Sequence, residues 1–306
     1  MSTPPSAVGR PGTRDIALMT VAVAAISTSA PLIAATAAPA LAIAFWRNAF
    51  GTLAIAPFAF AHRGEMAQLD RREWRLMAAS GALLAAHFAT WVPSLTYTSV
   101  ASSTALVATQ PVWAALIARA SGQDVPPRAW LGMAVAFVGV LVLTGIDLTL
   151  STRAVVGDLL ALAGAVFAAA YVTVGSRVRQ TVTTTTYTFV CYGVCSLLLL
   201  AGCAAGRVQL SGFDRTTWLQ LLALTAGAQL LGHSLINVAL QTSSPTVVSL
   251  AILFEMPGAA LIAALWLGQR PPWGIVPAAL LLLAGVAIVV SSARRTPREV
   301  VEAPPG

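Results

Sequence analysis

Long apolar stretches alternate with short polar segments along the whole chain of 306 residues. An α-helix crosses the bilayer core with about 20 consecutive apolar residues. The pattern predicts ten such helices, at residues 15–35, 40–61, 74–95, 102–120, 129–146, 155–175, 187–205, 217–238, 246–268 and 273–292. The two ends, 1–14 and 293–306, are rich in Pro, Ser and charge, and we expect both to be disordered cytoplasmic tails.

The few polar residues in these apolar stretches recur at a fixed offset of 146 positions. His87 falls on His233, and Pro111 falls on Pro257. Further pairs at this offset are Gly122-Gln123 with Gly268-Gln269, and Gly139-Val140 with Gly285-Val286. A duplicated membrane chain is the usual plan of a secondary transporter.

The duplication divides the chain into two repeats of five predicted spans each, residues 15–148 and 154–292. Because five is an odd number, the second repeat enters the membrane from the opposite side. We therefore predict an all-α membrane protein whose ten transmembrane helices form two inverted five-helix repeats. In such proteins the substrate site lies near the membrane midplane, between the repeats.

Composition supports a membrane protein and indicates its orientation. The chain is 57% hydrophobic, with a mean hydropathy of +0.79 and 9% charged residues, whereas soluble domains carry about 25% charged residues. All 18 basic residues are Arg, scattered between the apolar stretches. With the N-terminus in the cytoplasm, 13 arginines fall inside, 4 outside and one within a span. The positive-inside rule then places both termini in the cytoplasm, and nothing indicates a nucleic-acid partner.

An N-terminal signal peptide is the alternative interpretation of the first apolar stretch, because two arginines precede it and Ala38-Pro39-Ala40 follows it. Asp15 aligns with Asp158 at the start of the sixth stretch. Cleavage would leave the second repeat without its partner, so we expect a first transmembrane helix here.

Two charged residues are expected at membrane depth, where a charge costs roughly 2.5–3.5 kcal/mol on insertion scales. Arg47 lies in the second stretch, and it either faces a cavity or snorkels to the outer headgroups. Glu255 lies near the middle of the ninth stretch, with a side chain too short to escape. Glu255 is therefore a candidate proton carrier, or the partner of Arg47 in a purely structural pair.

Polar residues also form stripes at helical spacing on two predicted helices. Gln229, His233 and Asn237 share one face of the eighth helix, and His87 and Trp91 share one face of the third. Lipid disfavours such faces, so we expect them to line the bundle interior or a water-filled cavity. Each histidine either makes an interhelical hydrogen bond or lines one half of a transport pathway, His87 outward and His233 inward of the midplane.

Proline removes a backbone hydrogen bond from a helix and can kink it. Pro111 and Pro257 occupy equivalent repeat positions inside predicted spans. We therefore predict helix kinks at both residues.

No signature of catalysis, metal binding or a cofactor is present in the sequence. It has no Gly-x-x-x-x-Gly-Lys-Ser/Thr run, no Gly-x-Ser-x-Gly and no His-Glu-x-x-His. The three cysteines share one apolar stretch without His or carboxylate neighbours, so we interpret them as small hydrophobic residues. We expect no catalytic residues, no metal and no cofactor.

Short motifs throughout the chain resemble the EamA family of the drug/metabolite transporter superfamily. They are Phe45-Trp46-Arg47-Asn48, Tyr97-Thr98-Ser99-Val100, Gln110-Pro111, Gly157-Asp158 with Ala161, Glu255-Met256-Pro257 and Leu267-Gly268-Gln269. Many members carry Glu after Leu-Gly, where this chain has the neutral Gln269 and its repeat mate Gln123. The resemblance implies a ten-helix fold in the bacterial inner membrane and transport of amino acids, other metabolites or drugs, usually outward.

The leading hypothesis is a secondary exporter of small metabolites that works by alternating access, with protons as a candidate coupling ion. The alternatives are an intramembrane enzyme and a passive channel. The expected partners are a small-molecule substrate and the lipid bilayer. The sequence is compatible with both a monomer and a homodimer. The candidate residues for the substrate cavity or for coupling are Arg47, His87, Trp91, Gln110, Gln229, His233, Asn237 and Glu255.

Overall fold

The computed structural model describes residues 13–61, 63–232, 234–236, 238 and 245–292. Within them the chain forms helices and connecting loops, with no strand, and ten helices are long and apolar enough to cross a membrane. We call these helices spans one to ten. Their bounds are Thr13–Ala35, Ala40–Ala61, Arg71–Ser94, Val100–Ala120, Pro127–Leu150, Thr152–Val178, Thr184–Ala205, Arg215–Ile236, Leu250–Leu267 and Ile275–Ser292. The predicted all-α membrane fold is confirmed.

Several spans extend beyond the predicted bounds, because polar residues continue a helix past its apolar run. Span three begins at Arg71 rather than at residue 74. There the Asp70 carboxylate accepts a 2.6 Å hydrogen bond from Glu73 N, and the Glu73 carboxylate accepts a 3.0 Å bond from Asp70 N, which completes a capping box. Span five ends at Leu150 rather than at residue 146. This extension places Asp147 inside the helix, where it is 1% exposed.

Spans four and nine are each broken into two helices at equivalent positions of the repeat. Span four consists of Val100–Val107 and Gln110–Ala120, and the chain of span nine forms Pro245–Ile252 and Glu255–Leu267. Pro111 is the second residue of its helix and Pro257 is the third. A proline fits there because the first turn of a helix leaves its N–H groups without partners. At both prolines the chain therefore starts a new helix.

The contacts between spans follow a two-fold pattern. Spans two and seven, four and nine, and five and ten pack in pairs, and each pair joins equivalent elements of the two repeats. Span three packs along span six, and the equivalent contact joins span eight with span one. An inverted repeat produces this arrangement, because a two-fold axis in the membrane plane exchanges the repeats.

Spans five and ten cross through a tightly packed contact made by glycines. A Cβ atom built on Gly285 would lie 2.3 Å from Ala136 N, and one built on Gly139 would lie 2.6 Å from Leu282 N. A Cβ on Gly132 would lie 2.7 Å from the carbonyl oxygen of Gly285. The two backbones touch here, which is how small residues allow transmembrane helices to associate.

Candidate functional site

A cavity of about 460 Å³ lies between the two repeats. This volume is in the range of pockets that bind small molecules, roughly 300–1,000 Å³. Its described walls come from spans one to four and six to nine, and none of the lining residues belongs to span five or ten. Seven residues singled out in the sequence line this one cavity: Arg47, His87, Trp91, Gln110, Pro111, Gln229 and Glu255.

The remaining predicted site residues do not contribute described walls. His233 and Asn237 lie outside the residues that the structure describes, so the proposed inward half of a histidine pathway stays a prediction. Pro257 is exposed and is not one of the residues that line the cavity.

Arg47 is the only arginine of span two, and it is buried at 3% exposure. Its Nε donates a 2.9 Å hydrogen bond to Gln229 Oε1, and its Nη1 donates a 3.4 Å bond to Ser29 Oγ. The guanidinium carbon lies 4.5 Å from the centre of the Phe88 ring, a cation–π distance. Contacts inside the bundle therefore hold this charge, and the side chain does not reach the headgroups.

A guanidinium has five N–H donors, and the described hydrogen bonds of Arg47 use one on Nε and one on Nη1. The other donors are available to a molecule in the cavity. Arg47 and Glu255 also influence each other electrostatically. No hydrogen bond or ion pair joins these two side chains within the described structure, so Arg47 keeps its capacity for another anion.

Gln229 belongs to a π-helical segment, Leu224–Gly232, in the middle of span eight. A π-helical segment widens the turn and occurs often at functional sites. The Gln229 side chain accepts the bond from Arg47 through its oxygen, while its Nε2 is buried without a partner. The amide therefore orients Arg47 and keeps an unused donor beside it.

His87 and Trp91 form a stacked pair on span three, with ring centres 5.5 Å apart and an angle of 15° between the planes. His87 Nδ1 lies 2.9 Å from the carbonyl oxygen of Gly164. Since a carbonyl only accepts, Nδ1 carries the hydrogen and ties span three to span six. Trp91 Nε1 is buried without a partner. His87 therefore makes an interhelical hydrogen bond and also lines the cavity, while its role in a transport pathway stays a prediction.

Glu255 and Gln110 lie at the starts of the second helices of the two broken spans. Glu255 is the first residue of Glu255–Leu267, and Gln110 is the first residue of Gln110–Ala120. The N-terminal end of a helix carries a partial positive charge, which stabilises a carboxylate there. The breaks therefore bring a carboxyl and an amide to the wall of the cavity.

Other lining residues did not stand out in the sequence. Ser29 follows a break in span one at Thr28, and Tyr192 is one of two tyrosines in span seven that line the cavity. Both Tyr192 and Gln229 approach Gly51, where a built Cβ would lie 3.2 Å and 2.7 Å from them. The available signal was a polar residue in an apolar span, but such residues are common and their partners depend on how the spans meet.

The cavity reaches one end of the bundle. It extends to Arg179 and Thr184, which are exposed near the loop between spans six and seven. Toward the opposite end, Ser94 and Ser103 are fully buried with their hydroxyl oxygens 2.7 Å apart. The described cavity wall does not extend past this pair.

Comparisons with known proteins agree with this architecture. The EamA-like transporter family matches residues 15–145 and 155–291, one match to each repeat. A solved structure described only as a crystal structure of a protein superposes with a TM-score of 0.62 at 18% identity, and the match covers 93% of this chain and 99% of that one. No curated protein matches the sequence. The two family matches cover the chain from the first span to the last, and the protein is a multi-pass membrane protein that belongs to the EamA-like transporter family.

Proposed function

We propose that this protein is a secondary transporter that exports small carboxylate-bearing metabolites, such as amino acids or related compounds, by alternating access. The observation that carries the proposal is the cavity with Arg47 at its wall. A buried guanidinium with unused donors forms strong, charge-assisted hydrogen bonds with a carboxylate. The buried donors without partners on Gln229 and Trp91 favour the same kind of acceptor.

The rest of the wall suits a small organic molecule. Phe88, Trp91, Tyr171 and Tyr192 supply aromatic surface, and Glu255 supplies a negative charge. An amino acid would satisfy both charges, with its carboxylate at Arg47 and its ammonium group at Glu255. Drugs that carry a carboxylate remain within this proposal.

The proposed setting is the bacterial inner membrane. The distribution of arginines favours an orientation with both termini in the cytoplasm. The cavity extends toward Arg179, on the side that this orientation assigns to the cytoplasm. The structure would then represent a state ready to take up substrate from inside. Protons are the proposed coupling ion, with Glu255 as the carrier.

The test begins with a panel of metabolites screened by thermal-shift measurements on the purified protein, because a ligand of the folded state raises the melting temperature. The panel pairs each carboxylate with its amide or methyl ester. Counterflow of the best ligand is then measured in proteoliposomes. Saturable counterflow distinguishes a carrier from a passive channel.

The Arg47→Gln variant keeps hydrogen-bonding capacity but removes the charge. We expect it to weaken binding of the carboxylate by about 10- to 100-fold, the worth of a hydrogen bond to a charged group. Binding of the neutral ester should change little. Equal affinity for acid and ester in the unaltered protein, or an unchanged affinity for the acid in the variant, would contradict the proposal.

A further inference from the structure

A second group of buried polar residues, outside the cavity wall, lies where the loop after span three meets spans five and six. Asp147 of span five is 1% exposed, and Asp158 of span six is 0% exposed. Thr98, Thr144 and Asp147 are the polar side chains that interact with the Asp158 carboxyl. The site thus holds two carboxyl groups side by side, one three residues before the end of span five and the other six residues after the start of span six.

Asp158 lacks the partners that a buried carboxylate needs. Neither of its oxygens has a hydrogen-bond partner, and the hydroxyl oxygen of Thr144 beside it also has none. The Asp147 carboxylate accepts one long bond, 3.4 Å, from Thr98 Oγ1. Two ionised carboxylates cannot share a dry site without a compensating charge. A bound proton would supply the positive charge that such a pair needs.

Two arginines and one tyrosine lie near the aspartate pair, and none of them forms a described ion pair or hydrogen bond with it. Arg153 of span six donates a 3.1 Å hydrogen bond to the carbonyl oxygen of Thr96 and lies 5.0 Å from the centre of the Tyr97 ring. Arg270 lines the wall of a neighbouring hollow and forms no described ion pair with either aspartate. Within the described structure, neither arginine therefore neutralises the pair.

The hollow provides a route from solution to the pair. It has a volume of about 320 Å³, and Asp147 forms part of its wall. The other walls come from the loop after span three and from the segment between spans nine and ten, including Tyr97, Thr98, Gln269 and Arg270. Asp158 is fully buried and is not one of the lining residues. One carboxyl therefore faces the hollow, while the other is enclosed.

We propose that Asp147 and Asp158 share one proton, and that this pair is a proton-binding site of the protein, separate from Glu255 and reached through the hollow. A proton fits the observations because the carboxyls already interact directly, and a shared proton gives one Asp158 oxygen the hydrogen bond that it lacks. The balance is simple: the proton arrives from the hollow, bonds to one carboxyl oxygen and leaves the pair with a single negative charge.

The location gives this proton a role in closing the end of the bundle near the hollow. Val100 N donates a 3.1 Å hydrogen bond to Gln269 Oε1, which joins the two repeats beside the pair. A Cβ on Gly157, the neighbour of Asp158, would lie 2.8 Å from Thr98 N, so the loop after span three touches span six here. Loss of the proton would place two charges behind this contact and favour its opening.

Infrared spectroscopy of the purified full-length protein tests the proposal, because a protonated carboxyl has a C=O band that a carboxylate lacks. We expect this band near neutral pH in the unaltered protein and in Glu255→Gln. We expect its loss in Asp147→Asn and in Asp158→Asn, because the Asn amide donates a hydrogen bond to the remaining carboxylate and lets it ionise. Both substitutions keep the shape of the side chain, and either folded variant is sufficient for the test.

Persistence of the band at full size in a folded Asp→Asn variant would overturn the proposal, as would its absence from the unaltered protein. A second arm of the experiment replaces choline, the cation of the buffer, with Na⁺ at constant pH and ionic strength. The shared proton predicts no change in the band or in the melting temperature. A Na⁺-dependent rise in melting temperature that disappears in Asp158→Asn would assign the pair to a metal cation instead. Neither arm requires the transported substrate, so the result is independent of the function proposed above.

Discussion

Spans five and ten meet backbone against backbone, whereas the other eight spans surround a cavity of about 460 Å³. Both regions lie between the repeats, and both join equivalent elements of the duplication. At the contact of spans five and ten, Gly139 and Gly285 are identical repeat mates that let the helices touch. In the cavity, His87 has an identical repeat mate, but the charged residues do not, since Glu255 corresponds to Thr109 and Arg47 to Gly193.

This difference separates two tasks within one duplicated fold. The contact between spans five and ten retains the symmetry and holds the repeats together through close packing. The cavity departs from the symmetry and collects the charged groups, Arg47 from one repeat and Glu255 from the other. Substitutions in the first region should therefore change stability, and substitutions in the second should change binding or coupling.

The largest effect on stability is expected from Gly285→Leu. Even a Cβ at this position would lie 2.3 Å from Ala136 N and 2.6 Å from the carbonyl oxygen of Gly132, and backbone atoms cannot move aside as a side chain can. Overpacking costs about 1–3 kcal/mol and occasionally more, and we expect a loss of at least about 3 kcal/mol. Thermal unfolding in detergent, without ligand, measures it.

Gly145→Leu is the matched control for this substitution, because Gly145 lies in span five and a Cβ there would meet nothing within 4 Å. We expect its melting temperature to stay close to that of the unaltered protein. If the two leucine variants were equally stable, the contact between spans five and ten would not hold the repeats together.

The next effect concerns coupling and comes from the asymmetric carboxyl of the cavity. Glu255→Gln removes the only ionisable carboxyl among the described cavity residues while keeping the size of the side chain. If Glu255 carries the proton, uptake into proteoliposomes should lose its dependence on an imposed pH gradient, while counterflow without a gradient continues. The measurement compares initial rates of uptake of the identified substrate with and without the gradient.

Glu255→Asp serves as the control, because it keeps the charge and should retain part of the response to the gradient. Full gradient dependence in Glu255→Gln would exclude Glu255 as the carrier. Comparison with Asp158→Asn would then show whether the carboxyl pair near the hollow carries the coupled proton.

Hydrophobic runs in the sequence were sufficient to locate all ten spans, and polar residues recurring at an offset of 146 positions revealed the duplication. The hydrophobic runs were not sufficient to locate the ends of the spans, and this is why Asp147 was missed as a buried residue. The apolar run of span five stops at residue 146, so the sequence predicts that Asp147 lies in a loop. In the structure the helix continues to Leu150, and Asp147 is buried within it. Local polarity therefore predicts the approximate span, while the depth of a residue near its end depends on capping and packing.

The candidate site was predictable only in part, for a related reason. A charged residue in an apolar span, such as Arg47 or Glu255, is costly and therefore conspicuous. Ser29 and Tyr192 are ordinary residues for a membrane helix, and only the packing of spans one, two, seven and eight brings them to Arg47 and Gln229. The sequence contains no measure of these distances between spans.

The smallest expected effect comes from Gly51→Ala, which alters the cavity without removing any of its polar groups. A Cβ at Gly51 would lie 2.7 Å from Gln229 Nε2, the far end of a flexible side chain that can rotate away. This rotation weakens the 2.9 Å hydrogen bond from Arg47 Nε to Gln229 Oε1. A hydrogen bond of this kind contributes about 0.5–1.5 kcal/mol, so we expect about 3- to 10-fold weaker substrate binding and a nearly unchanged melting temperature.

Gly193→Ala makes the same change on span seven, one residue beyond Tyr192, and its Cβ would meet only Thr52 Cγ2 at 3.9 Å. Substrate affinity, measured by thermal shift across a range of ligand concentrations, should fall in Gly51→Ala and stay constant in Gly193→Ala. A loss of stability in Gly51→Ala comparable to that of Gly285→Leu would remove the distinction between the two regions. A loss of affinity confined to Gly51→Ala would show that Gln229 and Tyr192, the side chains beside Gly51, position the cavity wall for the substrate, since this variant retains the charge, the amide and every aromatic ring of the wall.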